Sequence, residues 1–288
     1  MKSWRLVVER MGIAKLTDDG PPAPRPTNDN RPPAAALSFG DDLLMGVRFY
    51  SRLPTGNTPH RRPSLDRMAL TLPLASVVIG VIPVAVLLVL EWLGTPTFFA
   101  AVIAVAALVI VTGAMSEDAL ADAADGLFGG ATIEQRLEIM KDSRHGTYGV
   151  AAIAVLLGAR IAAVGSVTSP IEAAAILLTA PLIARSGALW LPYALPPARS
   201  GGAAATAGQV RRGSLLLGFG VAAIVSLATA GFAVGIQGLV AAFALAALVA
   251  WGWTTLCRRL IGGQTGDLIG ALQALLEIAA LAAFMIFV

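Results

Sequence analysis

The chain has a single cysteine, Cys257, and only two histidines, His60 and His145, among its 288 residues. One thiol excludes an internal disulfide, and so few sulfur and imidazole groups exclude a structural zinc site. Any bound metal ion is therefore expected to have oxygen ligands. Charged residues are also scarce, at 14%, whereas hydrophobic residues make up 56%. That balance is unusual for a soluble domain and indicates that the chain resides in a lipid bilayer.

Aromatic residues make up only 6% of the chain, so Ala, Val, Leu and Ile supply most of the apolar surface. The 30 glycines would let helices approach one another closely. A membrane β-barrel needs stretches of about ten residues with alternating polarity, whereas the apolar runs here are continuous and longer. The sequence therefore predicts an all-α fold, a polytopic transmembrane helix bundle.

Seven apolar segments are each long enough to cross the ~30 Å of bilayer hydrocarbon. They cover residues 70–92, 97–116, 149–167, 172–195, 214–235, 238–256 and 268–288. Residues 1–38 carry proline and charge without helical periodicity, which predicts a disordered tail, or in part a short amphipathic helix on the membrane surface. Residues 39–288 are predicted to form one membrane-embedded domain.

Positive charges lie almost entirely on one side of this predicted topology. Of the 21 Lys and Arg residues, 19 precede the first segment or lie in the loops around 117–148, 196–213 and 257–267. Seven crossings from a cytoplasmic N-terminus place all of these on the cytoplasmic side, as the positive-inside rule requires. The N-terminus is therefore predicted to be cytoplasmic and the C-terminus external.

Four carboxylates, those of Glu117, Asp118, Asp122 and Asp125, follow the second segment within nine residues. At 100° per helical residue the three aspartates share one face, and Glu117 lies about a quarter turn away. Like charges repel strongly near lipid, so a divalent cation, Mg²⁺ or Mn²⁺, is expected to neutralise them. Because Mg²⁺ commonly bridges carboxylates to phosphates, phosphoryl transfer is the expected chemistry. The alternative is a helix end that is merely solvated.

A second group of charges lies further along the same loop. Lys141 and Arg144 are three residues apart, with Asp142 between them. Both cations could hold the phosphates of a substrate bound by the acids, since phosphoryl transfer depends on positioning and charge neutralisation. For their neighbours Glu134 and Arg136, a solvated surface helix is the better interpretation.

A glycine-rich turn on the same predicted side precedes the last segment and contains Gln264, Thr265 and Asp267. Such a turn suits anion binding, although Asp267 could simply be an N-cap.

Three charged residues, Arg160, Arg185 and Glu277, lie inside the predicted segments. A lone charge at membrane depth is costly, so pairing is expected. One arginine would pair with Glu277 and the other would reach the acids or the substrate.

With these motifs in view, the chain resembles the cobalamin synthase family, the adenosylcobinamide-GDP ribazoletransferases. The resemblance rests on the stretches Phe49–Pro54, Glu117–Gly126, Arg136–Gly149 and Gly263–Asp267, and on Gly270 with Ala271. It covers most of residues 40–288. Two features depart from the family pattern: the N-terminal tail, and His145, where an aliphatic residue is expected.

The resemblance implies that adenosylcobinamide-GDP is joined to α-ribazole or its 5′-phosphate with release of GMP. It implies Mg²⁺ as cofactor and a multi-pass protein of the bacterial inner membrane with its site facing the cytoplasm. No nucleic acid is expected as a partner, whereas a homo-oligomer or association with other cobalamin-pathway enzymes is compatible with it.

Roles are assigned to individual residues on the same basis. The expected metal ligands are Glu117, Asp118, Asp122 and Asp125. The expected catalytic residues are Asp122, Asp125, Lys141, Asp142 and Arg144, with Asp142 or Asp267 accepting the proton of the attacking hydroxyl. The expected substrate-binding residues are Arg52, Arg185, Gln264, Thr265 and Asp267.

Two other functions remain as alternatives. A CDP-alcohol phosphotransferase has an acidic motif that begins Asp-x-x-Asp-Gly, as Asp122–Gly126 does here, but its continuation is not matched by Leu127–Gly130. A cation-coupled transporter would use Arg160, Arg185 and Glu277 to line a path, although no inverted repeat is evident.

Overall fold

The computed structural model describes residues 38–56, 63–142, 144–199 and 207–288. These residues form eleven helices and no strand, with one isolated bridge between Pro197 and Gln264. The helices are α1 (Phe39–Tyr50), α2 (Leu65–Met68), α3 (Leu72–Trp92), α4 (Thr97–Thr112), α5 (Met115–Gly129), α6 (Ile133–Ile139), α7 (Thr147–Ser166), α8 (Pro170–Ala188), α9 (Trp190–Ala194), α10 (Arg212–Leu260) and α11 (Gly266–Phe284). The all-α prediction is confirmed. The predicted tail lies outside the described residues except for Ser38.

Side-chain caps fix where several of these helices begin. Ser38 and Asp41 form a reciprocal capping box at the start of α1, and Thr132 and Gln135 form another at the start of α6. The hydroxyl of Thr265 accepts the Leu268 N–H at 3.2 Å and begins α11. Each cap satisfies a backbone N–H that has no partner within its helix.

Five of the described helices are long and apolar enough to cross a membrane, and α4 with α5 would make a sixth if this bent pair is one span. The longest, α10, consists of two helices that meet at Gly235, where φ is 65°. Each part exceeds the ~20 residues that a crossing requires. The predicted segments 214–235 and 238–256 correspond to these two parts. The prediction of membrane helices is therefore confirmed. The number of membrane crossings depends on whether the helices on either side of the α4–α5 bend, and of the break at Gly235, are counted as one span or two.

The bend between α4 and α5 places the acidic residues on a helix of their own. The two helix axes differ by 83°. Between them, Gly113 and Ala114 have φ values of 66° and 56°, in the left-handed region. That conformation costs a non-glycine residue roughly 1–2 kcal/mol, so surrounding contacts must hold Ala114 in place. The predicted second segment, 97–116, therefore ends at Thr112, and helix resumes at Met115.

The central helices are α8 and α11, which are mostly buried. Helix α11 packs against α5, α7, α8 and α10. Small residues permit its close approach to the acidic helix, because a β-carbon on Gly270 would overlap with the β-carbon of Ala119. This packing places the start of α11, with Asp267, beside the acids of α5.

Candidate active site

Two aspartates and a histidine meet at the exposed side of α5. Asp118 and Asp122 are one helical turn apart, and His145 precedes α7. The Nε2 atom of His145 lies 3.7 Å from Asp118 Oδ1, and its Nδ1 atom lies 3.7 Å from Asp122 Oδ1. One ligand atom from each of the three lies within 4.8 Å of the others. The convergence of Asp118 and Asp122 follows from the helical period, whereas His145 was not expected there.

Asp125 lies one turn beyond Asp122 and accepts hydrogen bonds from backbone N–H groups at the start of another helix. Its Oδ2 atom accepts the Gly146 N–H at 2.6 Å, and its Oδ1 atom accepts the Gly149 N–H at 2.9 Å. The carboxylate is buried, and both of its oxygens are engaged. Asp125 therefore anchors the start of α7 and the preceding loop, which carries His145, to the acidic helix.

Glu117 points away from this cluster into the bundle. It is 4% exposed, forms an ion pair with Arg160 and accepts a hydrogen bond from Ser116 at 3.2 Å. Arg160 also donates to both oxygens of Glu277, at 2.7 and 2.8 Å. The sequence predicted that one arginine would pair with Glu277 and the other would reach the acids or the substrate. In the structure Arg160 alone contacts both Glu277 and Glu117. The group ties α5, α7 and α11 together.

A cavity of about 270 Å³ opens beside Asp118 and is lined by residues from three of the stretches that carry the family resemblance, Phe49–Pro54, Glu117–Gly126 and Gly263–Asp267. Its polar lining comes from Arg52, Ser116, Asp118, Asp267 and Gln273. Both signs of charge are therefore present, and apolar residues of α1, α2, α5 and α11 complete the lining. A cavity of this kind suits a substrate that has phosphate groups and an apolar part.

Arg52 enters the cavity across the bend between α4 and α5. Its backbone N–H donates to Val111 O at 2.7 Å. Its side chain lies against Gly113, where a β-carbon would be 2.5 Å from the guanidinium Nε. The left-handed glycine therefore serves two purposes: it allows the bend, and it leaves room for the arginine.

Asp267 lies in the first turn of α11, where its Oδ2 accepts a hydrogen bond from Thr265 at 3.3 Å. Thr265 caps the helix, so the N-cap role that was an alternative for Asp267 belongs to its neighbour. Asp267 is left facing the cavity with Asp118.

Gln264 is fully buried in the same turn, and neither polar atom of its amide has a hydrogen-bond partner among the described residues. An unsatisfied buried amide is costly, which favours a ligand or a water molecule as its partner. Arg185 is also buried, and its Nε has no partner in the described part of the chain. It lies in the interior, and it does not line the cavity.

Lys141, Asp142 and Arg144 lie elsewhere on the loop. Asp142 and Arg144 bind one another, with 2.6 Å between Arg144 Nη2 and Asp142 Oδ2. Hydrogen bonds from Arg144 lower the pKa of Asp142 to about 2. Lys141 and Asp142 line an open surface groove with Glu138 rather than the cavity that contains Asp267. None of these three residues is among those that line the cavity with Asp118 and Asp267.

Three contributors to the site were not predicted from the sequence: the imidazole of His145, the amide of Gln273 and the backbone N–H groups of Gly146 and Gly149. His145 lay within a recognised motif without an assigned role, and Gln273 is a polar residue in an apolar segment, which is a signal of function. For the backbone N–H groups of Gly146 and Gly149, the only indication of a role in the sequence is that both residues are glycine.

The donor set can be tested against a divalent cation. One ligand atom from each of two carboxylates and an imidazole lies within 4.8 Å of the others, and Asp118 and His145 are accessible from outside. Hard divalent ions take carboxylate oxygens, and several also take imidazole nitrogen. Asp118, Asp122 and His145 therefore fit such an ion, whereas Glu117 and Asp125 are engaged with other groups.

Comparison with known proteins adds an independent observation. The family profile described as cobalamin-5-phosphate synthase matches residues 42–285. A protein of Azorhizobium caulinodans named adenosylcobinamide-GDP ribazoletransferase is 40% identical over 252 residues, which is 85% of this chain and 96% of that protein. Proteins with the same name from Sinorhizobium sp and Rhizobium johnstonii are 39% and 37% identical, covering 87% and 85% of this chain and 98% and 96% of their own lengths. No solved structure matches the chain significantly.

Proposed function

Because this chain belongs to the cobalamin-5-phosphate synthase family, we propose that it is an adenosylcobinamide-GDP ribazoletransferase. It transfers the adenosylcobinamide phosphate group to α-ribazole or α-ribazole 5′-phosphate, releases GMP, and forms adenosylcobalamin or its 5′-phosphate. The observation that carries the proposal is the family match, since it spans residues 42–285 and so includes every side chain of the cavity and the acidic cluster. Neither the lipid phosphotransferase nor the transporter is favoured by that match.

The reaction is a substitution at the phosphorus on the cobinamide side of the diphosphate. A ribose hydroxyl oxygen of the ribazole forms the new bond to phosphorus, the bond to the GMP oxygen breaks, and the hydroxyl proton passes to a base. Such reactions are catalysed by positioning and by neutralising charge on the transferred group. The protein must therefore supply a base, cations for the phosphates and an enclosed place for both substrates.

Mg²⁺ is the proposed cofactor, held by Asp118 and Asp122. When bound, it supplies charge neutralisation at the diphosphate. Glu117 and Asp125 support these ligands indirectly, since they fix α5 against α7 through Arg160 and through two glycine N–H groups.

Among the two proposed bases, the geometry favours Asp267. Its carboxylate faces the cavity with Asp118, whereas Asp142 binds Arg144 on a different surface. Arg52 is the cation that lies in the same cavity and is the proposed contact to substrate phosphate. Lys141 and Arg144 remain proposed contacts to the leaving phosphate, and would need the loop to approach the cavity.

The proposed location is the bacterial inner membrane, with the site facing the cytoplasm. The asymmetry of charge supports this orientation, since 19 of the 21 Lys and Arg residues fall on the side of the acids in the predicted topology.

The test is incubation of the purified full-length chain with adenosylcobinamide-GDP, α-ribazole and Mg²⁺, with GMP and the cobalamin product identified by mass. Asp122→Asn should abolish turnover while leaving membrane insertion intact, and Glu134→Gln on the exposed helix α6 is the matched control. Absence of both products from the wild-type protein would refute the assignment. A CDP-linked lipid precursor in place of the cobinamide tests the lipid alternative in the same assay.

A further inference from the structure

We propose that His145 supplies a nitrogen ligand to the divalent cation, so that the metal site of this chain has mixed oxygen and nitrogen donors. This inference rests on the metal site of the proposed function and identifies one further ligand within it. It replaces the expectation, drawn from the scarcity of histidine and cysteine, that any metal ion has oxygen ligands alone.

The position of the imidazole carries the proposal. Its two ring nitrogens are each 3.7 Å from a different carboxylate, Asp118 on one side and Asp122 on the other. For ligand bonds of about 2.1 Å, donor atoms lie about 3 Å apart when adjacent around an octahedral ion and about 4 Å apart when opposite. An imidazole binds one ion through a single nitrogen, and one ligand atom from each of the three residues lies within 4.8 Å of the others. Rotation of the His145 and aspartate side chains would therefore bring one nitrogen and both carboxylates to the same ion.

The backbone around His145 is held in a way that keeps the ring at this place. The next residue, Gly146, donates its N–H to Asp125 at 2.6 Å, and Gly149 donates to the same carboxylate at 2.9 Å. Asp125 is on the same helix as Asp122, one turn further on. The loop that carries the imidazole is therefore fixed directly to the helix that carries the acids.

A simpler explanation is an ion pair in which a protonated imidazole neutralises the two acids. The two interpretations make opposite predictions about metal binding. A positively charged ring would compete with a divalent cation, so its removal would strengthen metal binding or leave it unchanged. A neutral ring that ligates the ion would strengthen binding, so its removal would weaken it.

The identity of the metal separates the interpretations further. Imidazole nitrogen suits first-row transition ions, whereas Mg²⁺ strongly prefers oxygen. Replacement of His145 should therefore weaken Mn²⁺ binding by about tenfold or more, since even the loss of a group that only supports a metal ligand costs about that much, and should change Mg²⁺ binding less. Replacement of Asp122 by Asn should weaken the binding of both ions.

The experiment uses the purified full-length protein in detergent, with Mn²⁺ alone as the probe. Pulsed electron paramagnetic resonance detects nitrogen coupled to bound Mn²⁺, and titration followed by the free-ion signal gives the affinity. The chain has only one other histidine, so a His60→Gln variant assigns any imidazole signal to His145. His145→Leu and His145→Gln remove the ring, with Glu134→Gln as control, and circular dichroism checks that each variant is folded.

The proposal predicts nitrogen coupling in the wild-type and His60→Gln proteins. It also predicts that both His145 variants lose this coupling and bind Mn²⁺ more weakly. Mn²⁺ that binds without nitrogen coupling, or binds as tightly to the His145 variants, would overturn it and leave the metal site of the proposed function intact. Wild-type protein that binds Mn²⁺ no better than Asp122→Asn would overturn the metal site and the ligand together.

Discussion

The carboxylate of Asp125 accepts the backbone N–H of Gly149 at 2.9 Å, and Gly149 lies so close that a β-carbon there would overlap with the same carboxylate. Glycine at this position is thus required for space and not for backbone conformation. The contact connects the acidic helix α5 to the first turn of α7, and the loop with His145 lies between them. A larger side chain at position 149 should therefore displace the carboxylate of Asp125 and disturb the neighbouring acids of α5.

Gly149→Ala should lower both the stability and the activity of the protein. The added methyl group must displace the charged carboxylate of Asp125, which accepts two backbone hydrogen bonds. Loss of each of these hydrogen bonds costs about 1–3 kcal/mol. Thermal unfolding in detergent measures the first effect and GMP release the second. Gly158→Ala, on the same helix with open space around the glycine, is the matched control and should behave like the wild type. Equal effects of the two substitutions would contradict the packing argument.

Gly113→Ala should weaken the binding of adenosylcobinamide-GDP. A β-carbon at Gly113 would be 2.5 Å from the Arg52 guanidinium, and alanine also resists the left-handed φ of 66°. Displacement of Arg52 from the cavity should raise the KM about tenfold, the effect of losing about 1.4 kcal/mol of uniform substrate binding.

The control is the next residue, since Ala114→Gly relieves a left-handed alanine at the same bend. It should leave KM unchanged and be neutral or stabilising by up to about 1 kcal/mol. A rise in KM for Ala114→Gly alone would show that bend flexibility matters more than the position of Arg52.

Arg160→Gln should destabilise the bundle more than any surface charge substitution. Arg160 is 3% exposed, and its loss removes the direct ion-pair partner of two buried carboxylates, those of Glu117 and Glu277. Removal of one partner from a buried ion pair typically costs about 3–5 kcal/mol. Arg259→Gln, which removes an exposed arginine from α10, should change the unfolding temperature little. The triple substitution of Arg160, Glu117 and Glu277 by glutamine should recover part of the loss.

The sequence predicted those features that depend on local periodicity or on burial in lipid. The predicted segment 70–92 corresponds to α3 (Leu72–Trp92), and 268–288 to α11 (Gly266–Phe284), because continuous apolar runs define membrane helices. The period of 3.6 residues likewise placed Asp118 and Asp122 together.

Features that depend on contacts distant in the chain could not be predicted. Asp125 lies on the predicted face, but its oxygens bind N–H groups of residues 21 and 24 positions later. The pairing of Arg160 with both Glu117 and Glu277 depends on how three helices pack. The bend at Ala114 was missed because alanine favours helix, and only tertiary contacts hold it in the left-handed region.

Asp267→Asn should reduce kcat far more than Asp142→Asn. Asp267 faces the cavity, whereas Asp142 is bound to Arg144, whose hydrogen bonds lower the pKa of Asp142 to about 2. A carboxylate with so low a pKa binds a proton weakly near pH 7 and is a poor general base.

Loss of the base should cost about 100-fold or more in kcat, while loss of Asp142 should cost less than about tenfold. Single-turnover GMP release measures both values, and Arg144→Gln completes the comparison because it should raise the pKa of Asp142 toward its ordinary value. If Asp142→Asn were the more damaging change, the loop would have to close over the cavity during turnover, and Asp142 would be the base.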